Sequence, residues 1–205
     1  METLGNIFGS LPRVKIMRLF LFNPGTVYDS KAVIDKARIN KKEARKELQA
    51  LEQGRLIKGQ TYITQATATA RKKKGTGWML DDSFPFLKQL QALLIHTIVL
   101  RDDEIVERVS KLGRIKLVVV AGVFIQHWDS RLDVLVVGDK LREGHISGVI
   151  KKMEAEIGRE LHYSVLDVQD FQYRVSVGDK LVRDVFDYSH RILLDKLGVS
   201  LRKAQ

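Results

Sequence analysis

Residues 115–124, IKLVVVAGVF, and residues 132–139, LDVLVVGD, are apolar almost without a break and rich in β-branched side chains. A strand with one solvated face alternates apolar and polar positions, so unbroken short runs of this kind predict strands covered on both faces. Such strands need helices on either side, and the flanking sequence offers them. RDDEIVERVSKLGR reads as a helix ending at Gly113, and a further helix is expected from about His145 to Ile157. LHYSVLD then reads as a strand, with more helices through DFQYRVS and DKLVRDVFDYSHRILLDKLG. Strand, loop, strand, helix, strand is the order of a small α/β domain, expected over residues 97–205.

The first part of the chain has a different rhythm. SLPRVKIMRLFLFNPG opens on Ser10 as a helix cap with Pro12 near the first helical position, and it closes at Asn23-Pro24-Gly25. Val14, Ile16, Met17, Leu19, Phe20 and Leu21 are too many apolar positions for a surface helix, which predicts packing on more than one side. Ser30 is expected to cap a short helix, KAVIDKAR. After a tight turn, Asn40-Lys41-Lys42-Glu43 reads as the capping box of a third helix that ends at Gly54. Ala44, Leu48 and Leu51 form one apolar stripe along it, and Lys41, Lys42, Arg45, Lys46 and Gln49 occupy the opposite side. Two helices joined by a short turn, the second with a basic exposed face, is the sequence form of a helix-turn-helix that sets its second helix in the major groove.

Beyond Gly54 the period changes from helical to extended. LIKGQTYITQATATA, then RKKKGTG, then WML, predicts a hairpin with its tip at Arg71 to Gly77, so that Arg71, Lys72, Lys73 and Lys74 form a cationic wing suited to backbone phosphates. FPFLKQLQALLIH, residues 84–96, reads as an apolar helix that either covers this domain or dimerises. Residues 1–96 are thus expected to be a winged helix-turn-helix domain. Charge agrees with this division: of a net +10, 17 of the 35 Lys+Arg but only 8 of the 25 Asp+Glu lie in residues 1–96, leaving the remainder nearly neutral.

The chain contains no Cys, which excludes disulfides and thiolate metal sites. METLGNIFGSLPRVK lacks the basic start and apolar core of a secretory signal, and no apolar run approaches the roughly 20 residues of a membrane span. A cytoplasmic protein without membrane contact is the expectation.

AGVFIQHWDSRLDVLVVGD resembles the nucleotidyltransferase-fold signature of the DNA polymerase beta superfamily, in which a Gly-Ser pair ends one strand and an Asp-x-Asp pair lies on the next. EAEIGRELHYSVLDVQDF is similar to the Leu-Gly-Arg-Glu-(Val/Ile)-Asn-Tyr stretch of minimal nucleotidyltransferases. The whole chain resembles the family that fuses a winged helix to such a domain and serves in transcriptional regulation. The resemblance implies an α+β winged helix-turn-helix domain followed by a small α/β nucleotidyltransferase-like domain, with His127 and Trp128 in the loop where active members hold nucleotide. In that fold two carboxylates at i and i+2 of one strand share Mg²⁺ ions that bridge phosphates and activate a hydroxyl.

Here Gly122 keeps its place, Val123 stands where the Ser would be, Arg131 replaces the first Asp, and only Asp133 remains. An Arg in place of a carboxylate removes a metal ligand and adds a repelling charge. Asp129, four residues earlier on an extended chain, would stand about 13 Å from Asp133. Asp167 reads as the N-cap of the following helix, with Asp170 in its first turn. His127 has no second ligand at metal spacing, and His145, His162 and His190 are scattered without pattern.

The expectation is therefore a DNA-binding transcriptional regulator without transferase catalysis, whose second domain senses a ligand or mediates dimerisation. No cofactor and no metal are expected. Gly122, Arg131 and Asp133 are the candidate ligand site, with Arg131 able to pair directly with a nucleotide phosphate. Partners would be double-stranded DNA and a second copy in a homodimer. The alternative is an active nucleotidyltransferase, using Mg²⁺ and directed to nucleic acid by its winged helix.

Overall fold

The structure, a computed structural model, describes residues 2–63, 74–96 and 100–199. It is a mixed α+β protein that divides into two compact units, one of residues 1–99 with 151–159 and the other of residues 100–150 with 160–205.

The first unit begins with α1 (Glu2–Phe8), a helix not anticipated from sequence, and α2 (Leu11–Phe22). Ser10 caps α2 by accepting from the Arg13 N–H at 3.0 Å. Val14, Ile16, Met17, Leu19, Phe20 and Leu21 are all buried, so α2 is the central helix of this unit's core. Next comes α3 (Ser30–Ala37). Its cap is Asp29, one residue earlier than expected: the Asp29 carboxylate accepts from the Ala32 N–H at 2.7 Å and takes Ser30 into the helix. Arg38, with φ of 50°, makes the turn into α4 (Lys41–Gln53). Both halves of the Asn40/Glu43 capping box are formed, at 2.9 and 3.1 Å. Ala44, Leu48 and Leu51 are buried along α4.

β1 (Ile57–Ile63) and β2 (Lys74–Leu80) pair antiparallel, with Ile63 opposite Lys74 and Thr61 opposite Thr76. Gly75, Thr76 and Gly77 therefore belong to the ladder, and the hairpin connection is not the Arg71 to Gly77 tip expected from sequence. Tyr28 exchanges both backbone hydrogen bonds with Trp78 at 2.9 Å, adding a short third rung. That approach requires glycine at position 77, where a Cβ would lie 2.5 Å from the Tyr28 carbonyl oxygen. The apolar segment after the hairpin contains a shorter helix than the expected 84–96, α5 (Leu87–Leu94), because turns at Asp82-Ser83 and Pro85-Phe86 precede it. Leu94 is in the core, with Phe84, Leu87 and Leu90 packed against it.

Residues 151–159 complete this unit. The Arg18 guanidinium is only 1% exposed and donates from Nε to the Ile157 carbonyl at 2.9 Å, where a cation suits a helix C-terminus. Burial lowers its pKa to about 10. Asn23 donates to the Gly158 carbonyl at 2.9 Å.

The second unit holds a four-stranded sheet in the order β5-β4-β3-β6. Helix α6 (Asp102–Ser110) leads into β3 (Arg114–Val120), which is followed by a 3-10 turn at Gly122–Ile125 and by β4 (Val134–Asp139) antiparallel to β3. Then come α7 (Glu143–Ile157), whose residues from Lys151 count with the first unit, and β5 (Tyr163–Leu166), parallel to β4. α8 (Val168–Ser176) and α9 (Lys180–Asp187) follow.

β3 and β4 are covered on both faces. Leu117, Val119, Leu135 and Val137 pack with Phe171, Val182, Val185 and Phe186, while Val118, Val120, Val134 and Val136 are buried on the opposite side. One expectation fails here. Residues 191–195, read from sequence as part of a long helix, form β6 (Arg191–Asp195), antiparallel to β3. Arg-Ile-Leu-Leu-Asp has no strong preference for strand. Its conformation is set by the unpaired edge of β3, whose buried N–H and C=O groups need partners.

Candidate nucleic-acid interface

On α4 the five residues singled out from sequence, Lys41, Lys42, Arg45, Lys46 and Gln49, are all exposed, and the opposite arc carries the core residues. The surface so formed has four cations and one amide that can both donate and accept. Lys74, at the start of β2, is also exposed, whereas Arg71, Lys72 and Lys73 lie outside the described residues.

Polar contacts fix this surface to its unit. Glu47, on the inner arc of α4, is 2% exposed. Its Oε1 accepts from the Ser10 hydroxyl at 2.9 Å and its Oε2 from Arg13 Nε at 2.7 Å, while Arg13 also donates from Nη1 to the Phe8 carbonyl at 3.0 Å. Further along α4, Glu52 accepts from the Trp78 indole N–H at 3.0 Å, which ties the helix to β2. The Tyr62 hydroxyl of β1 donates to Asp29 Oδ2 at 3.0 Å, and this bond raises the Tyr62 pKa. Sequence reasoning missed Glu47, although a signal existed: a carboxylate falls about 40° from Leu51, on the side of α4 away from its cations.

In the second unit, Gly122 and Asp133 are brought together. Asp133, just before β4, is 1% exposed, and its two carboxylate oxygens accept from the Val123 and His162 backbone N–H groups, each at 2.9 Å. Gly122 has φ of +53°, and a Cβ there would overlap Asp133 Oδ1, so the glycine is required both by its backbone and by the carboxylate beside it. Asp133 thus staples the 3-10 turn to the entry of β5.

Arg131 is not part of that cluster. It makes an ion pair with Asp184 of α9 at 3.1 Å, across a cleft of about 350 Å³ lined also by His127, Asp129, Ser130, Lys180 and Tyr188. Asp167 caps α8 by accepting from the Asp170 N–H at 2.7 Å. Arg131 is thus turned to Asp184, and both Asp133 oxygens accept from backbone N–H groups. Among the described residues, no group of three or more His, Asp or Glu side chains could hold a metal ion. His127, His145 and His162 are exposed and separately placed.

Among the described residues, no helix is long and apolar enough to cross a membrane. No family model, curated protein or solved structure matches the chain.

Proposed function

We propose that this protein is a DNA-binding transcriptional regulator. In this reading the first unit is a winged helix-turn-helix in which α4 enters the major groove and the β1–β2 hairpin is the wing. The single observation that carries the reading is the split of α4 into a wholly exposed basic face and a buried apolar arc. Lys and Arg there can neutralise phosphates, and Arg45 and Gln49 have the donor geometry to read guanine and adenine edges. Arg71, Lys72, Lys73 and Lys74 would in this reading serve the backbone phosphates beside the groove.

The second unit, in the same reading, regulates instead of catalysing. A buried carboxylate that accepts one backbone N–H on each oxygen is suited to holding a loop. The cleft beside Arg131 and Asp184 is large enough for a small ligand, which Arg131 could hold through a phosphate. Homodimerisation would let two first units address paired half-sites.

Fluorescence anisotropy on labelled duplexes, repeated across salt concentrations, tests the DNA reading. Binding should weaken steeply with salt, and neutralising Arg71, Lys72, Lys73 and Lys74 should lower affinity on every duplex and reduce the salt slope by about one per lost phosphate contact. Arg45→Ala or Gln49→Ala should instead change which duplex is preferred. Binding that ignores salt would remove the proposal. Repeating the titration with added nucleoside triphosphate, beside calorimetry of the protein alone, tests ligand sensing; no heat and no shift would discard it.

A further inference from the structure

We infer that Glu47 is the positioning residue that fixes the rotation of α4, so that its buried contacts to Ser10 and Arg13 determine how well the protein discriminates between DNA sequences. The inference rests on the DNA-binding reading of α4 and adds a residue that never touches DNA.

The geometry is simple. At about 100° per residue, the mean direction of Lys41, Lys42, Arg45, Lys46 and Gln49 points one way, and Glu47 lies roughly 170° round the helix from it. Glu47 is therefore almost diametrically behind the basic face. The other residues on its arc, Ala44, Leu48 and Leu51, bury apolar surface, and that force is non-directional. Apolar packing of this kind favours burial of the arc more than any one angle within it.

Hydrogen bonds are directional, and Glu47 makes two from separate oxygens, to Ser10 at 2.9 Å and Arg13 at 2.7 Å. Both partners belong to the start of α2, the helix at the centre of the unit's core. Ser10 is held as the cap of α2, and Arg13 is held a second time by the Phe8 carbonyl. A carboxylate gripped at two points by groups that are themselves fixed pins a helix against rotation.

The scale of the effect follows from helix size. On a cylinder of about 5–6 Å radius, a turn of roughly 10° moves each side-chain base by about 1 Å. Binding groups must be held within about 0.5 Å of productive geometry, so a shift of that size suffices to break a bidentate base contact. Phosphate contacts by flexible Lys side chains survive it.

Charge makes the inference separable from general electrostatics. Glu47→Gln keeps the volume and removes one negative charge from a basic unit, so attraction to DNA should stay the same or rise. A purely structural Glu47 would lower the melting temperature and leave discrimination by the folded protein unchanged.

The experiment uses the full chain and a duplex selected from a random-sequence pool, compared with an unrelated duplex. Glu47→Gln should lower the ratio of selected to unrelated affinity about tenfold, the loss of about one bidentate base contact, while affinity for the unrelated duplex and the salt slope hold steady. If the single variant does not fold, Arg13→Lys, which keeps the charge but replaces the directional Nε donor with a rotatable ammonium, should lower the ratio in the same direction. An unchanged ratio in a folded variant overturns the inference and leaves DNA binding standing. If the unmodified protein enriches no duplex from the pool, the DNA-binding reading itself has failed.

Discussion

Gly122 and Asp133 form a pair in which each residue explains the other. The positive φ at Gly122 and the carboxylate packed against its Cα leave no room for a side chain, and the carboxylate in turn satisfies two backbone donors that the turn would otherwise bury unpaired. Gly122→Ala should therefore destabilise the second unit by about 2–4 kcal/mol, combining backbone strain with displacement of Asp133. Urea denaturation followed by circular dichroism measures this, and a loss below 1 kcal/mol, roughly the ordinary effect of a tolerated glycine replacement, would contradict it. The pairing of Gly122 with Asp133 was legible in the sequence only as a resemblance. Its structural purpose was not, because hydrogen bonds from the Val123 and His162 backbone join positions 10 and 29 residues from Asp133. Arg131 was legible as a departure from two paired carboxylates, whereas its partner Asp184 sits 53 positions away on a helix with no local link to it.

At the scale of elements, end signals were read well where they are local. The Ser10 cap and the Asn40/Glu43 box act within four residues of the helix they start, and both are formed. Asp29 won over Ser30 because its carboxylate serves two partners at once, the Ala32 N–H and the Tyr62 hydroxyl. That second bond gives the joint between α3 and β1 a pH dependence. Tyr62 holds its proton above the ordinary tyrosine pKa, chiefly through the Asp29 hydrogen bond, so the tie is fully present below that ordinary value and is lost as pH rises through the raised one. Ultraviolet titration should show late phenol ionisation that is reduced by one group in Tyr62→Phe; an unchanged late amplitude would contradict the raised pKa of Tyr62. β6 is the contrary case. Nothing local in Arg191–Asp195 distinguishes strand from helix, and the edge of β3 decides.

For the whole molecule, the first unit is not a continuous stretch of chain. It recruits residues 151–159, and a fragment ending at residue 99 would leave Arg18 and Asn23 without the Ile157 and Gly158 carbonyls. We expect the fragment of residues 1–99 to be at least about 2 kcal/mol less stable than the same unit in the full chain, from the two lost hydrogen bonds, one of them from a guanidinium. Equal denaturation midpoints would refute this. Discontinuity also sets an order in time. Arg18 and Ile157 are 139 residues apart, so α2 and α4 leave the ribosome long before the carbonyl that receives the Arg18 guanidinium has been synthesised. Closing so long a loop adds little thermodynamic penalty, since each doubling of loop length costs only about 0.6 kcal/mol, but non-local contacts form late and slowly. The central helix α2 would thus gain its last polar partners only after residues 100–158 have been made.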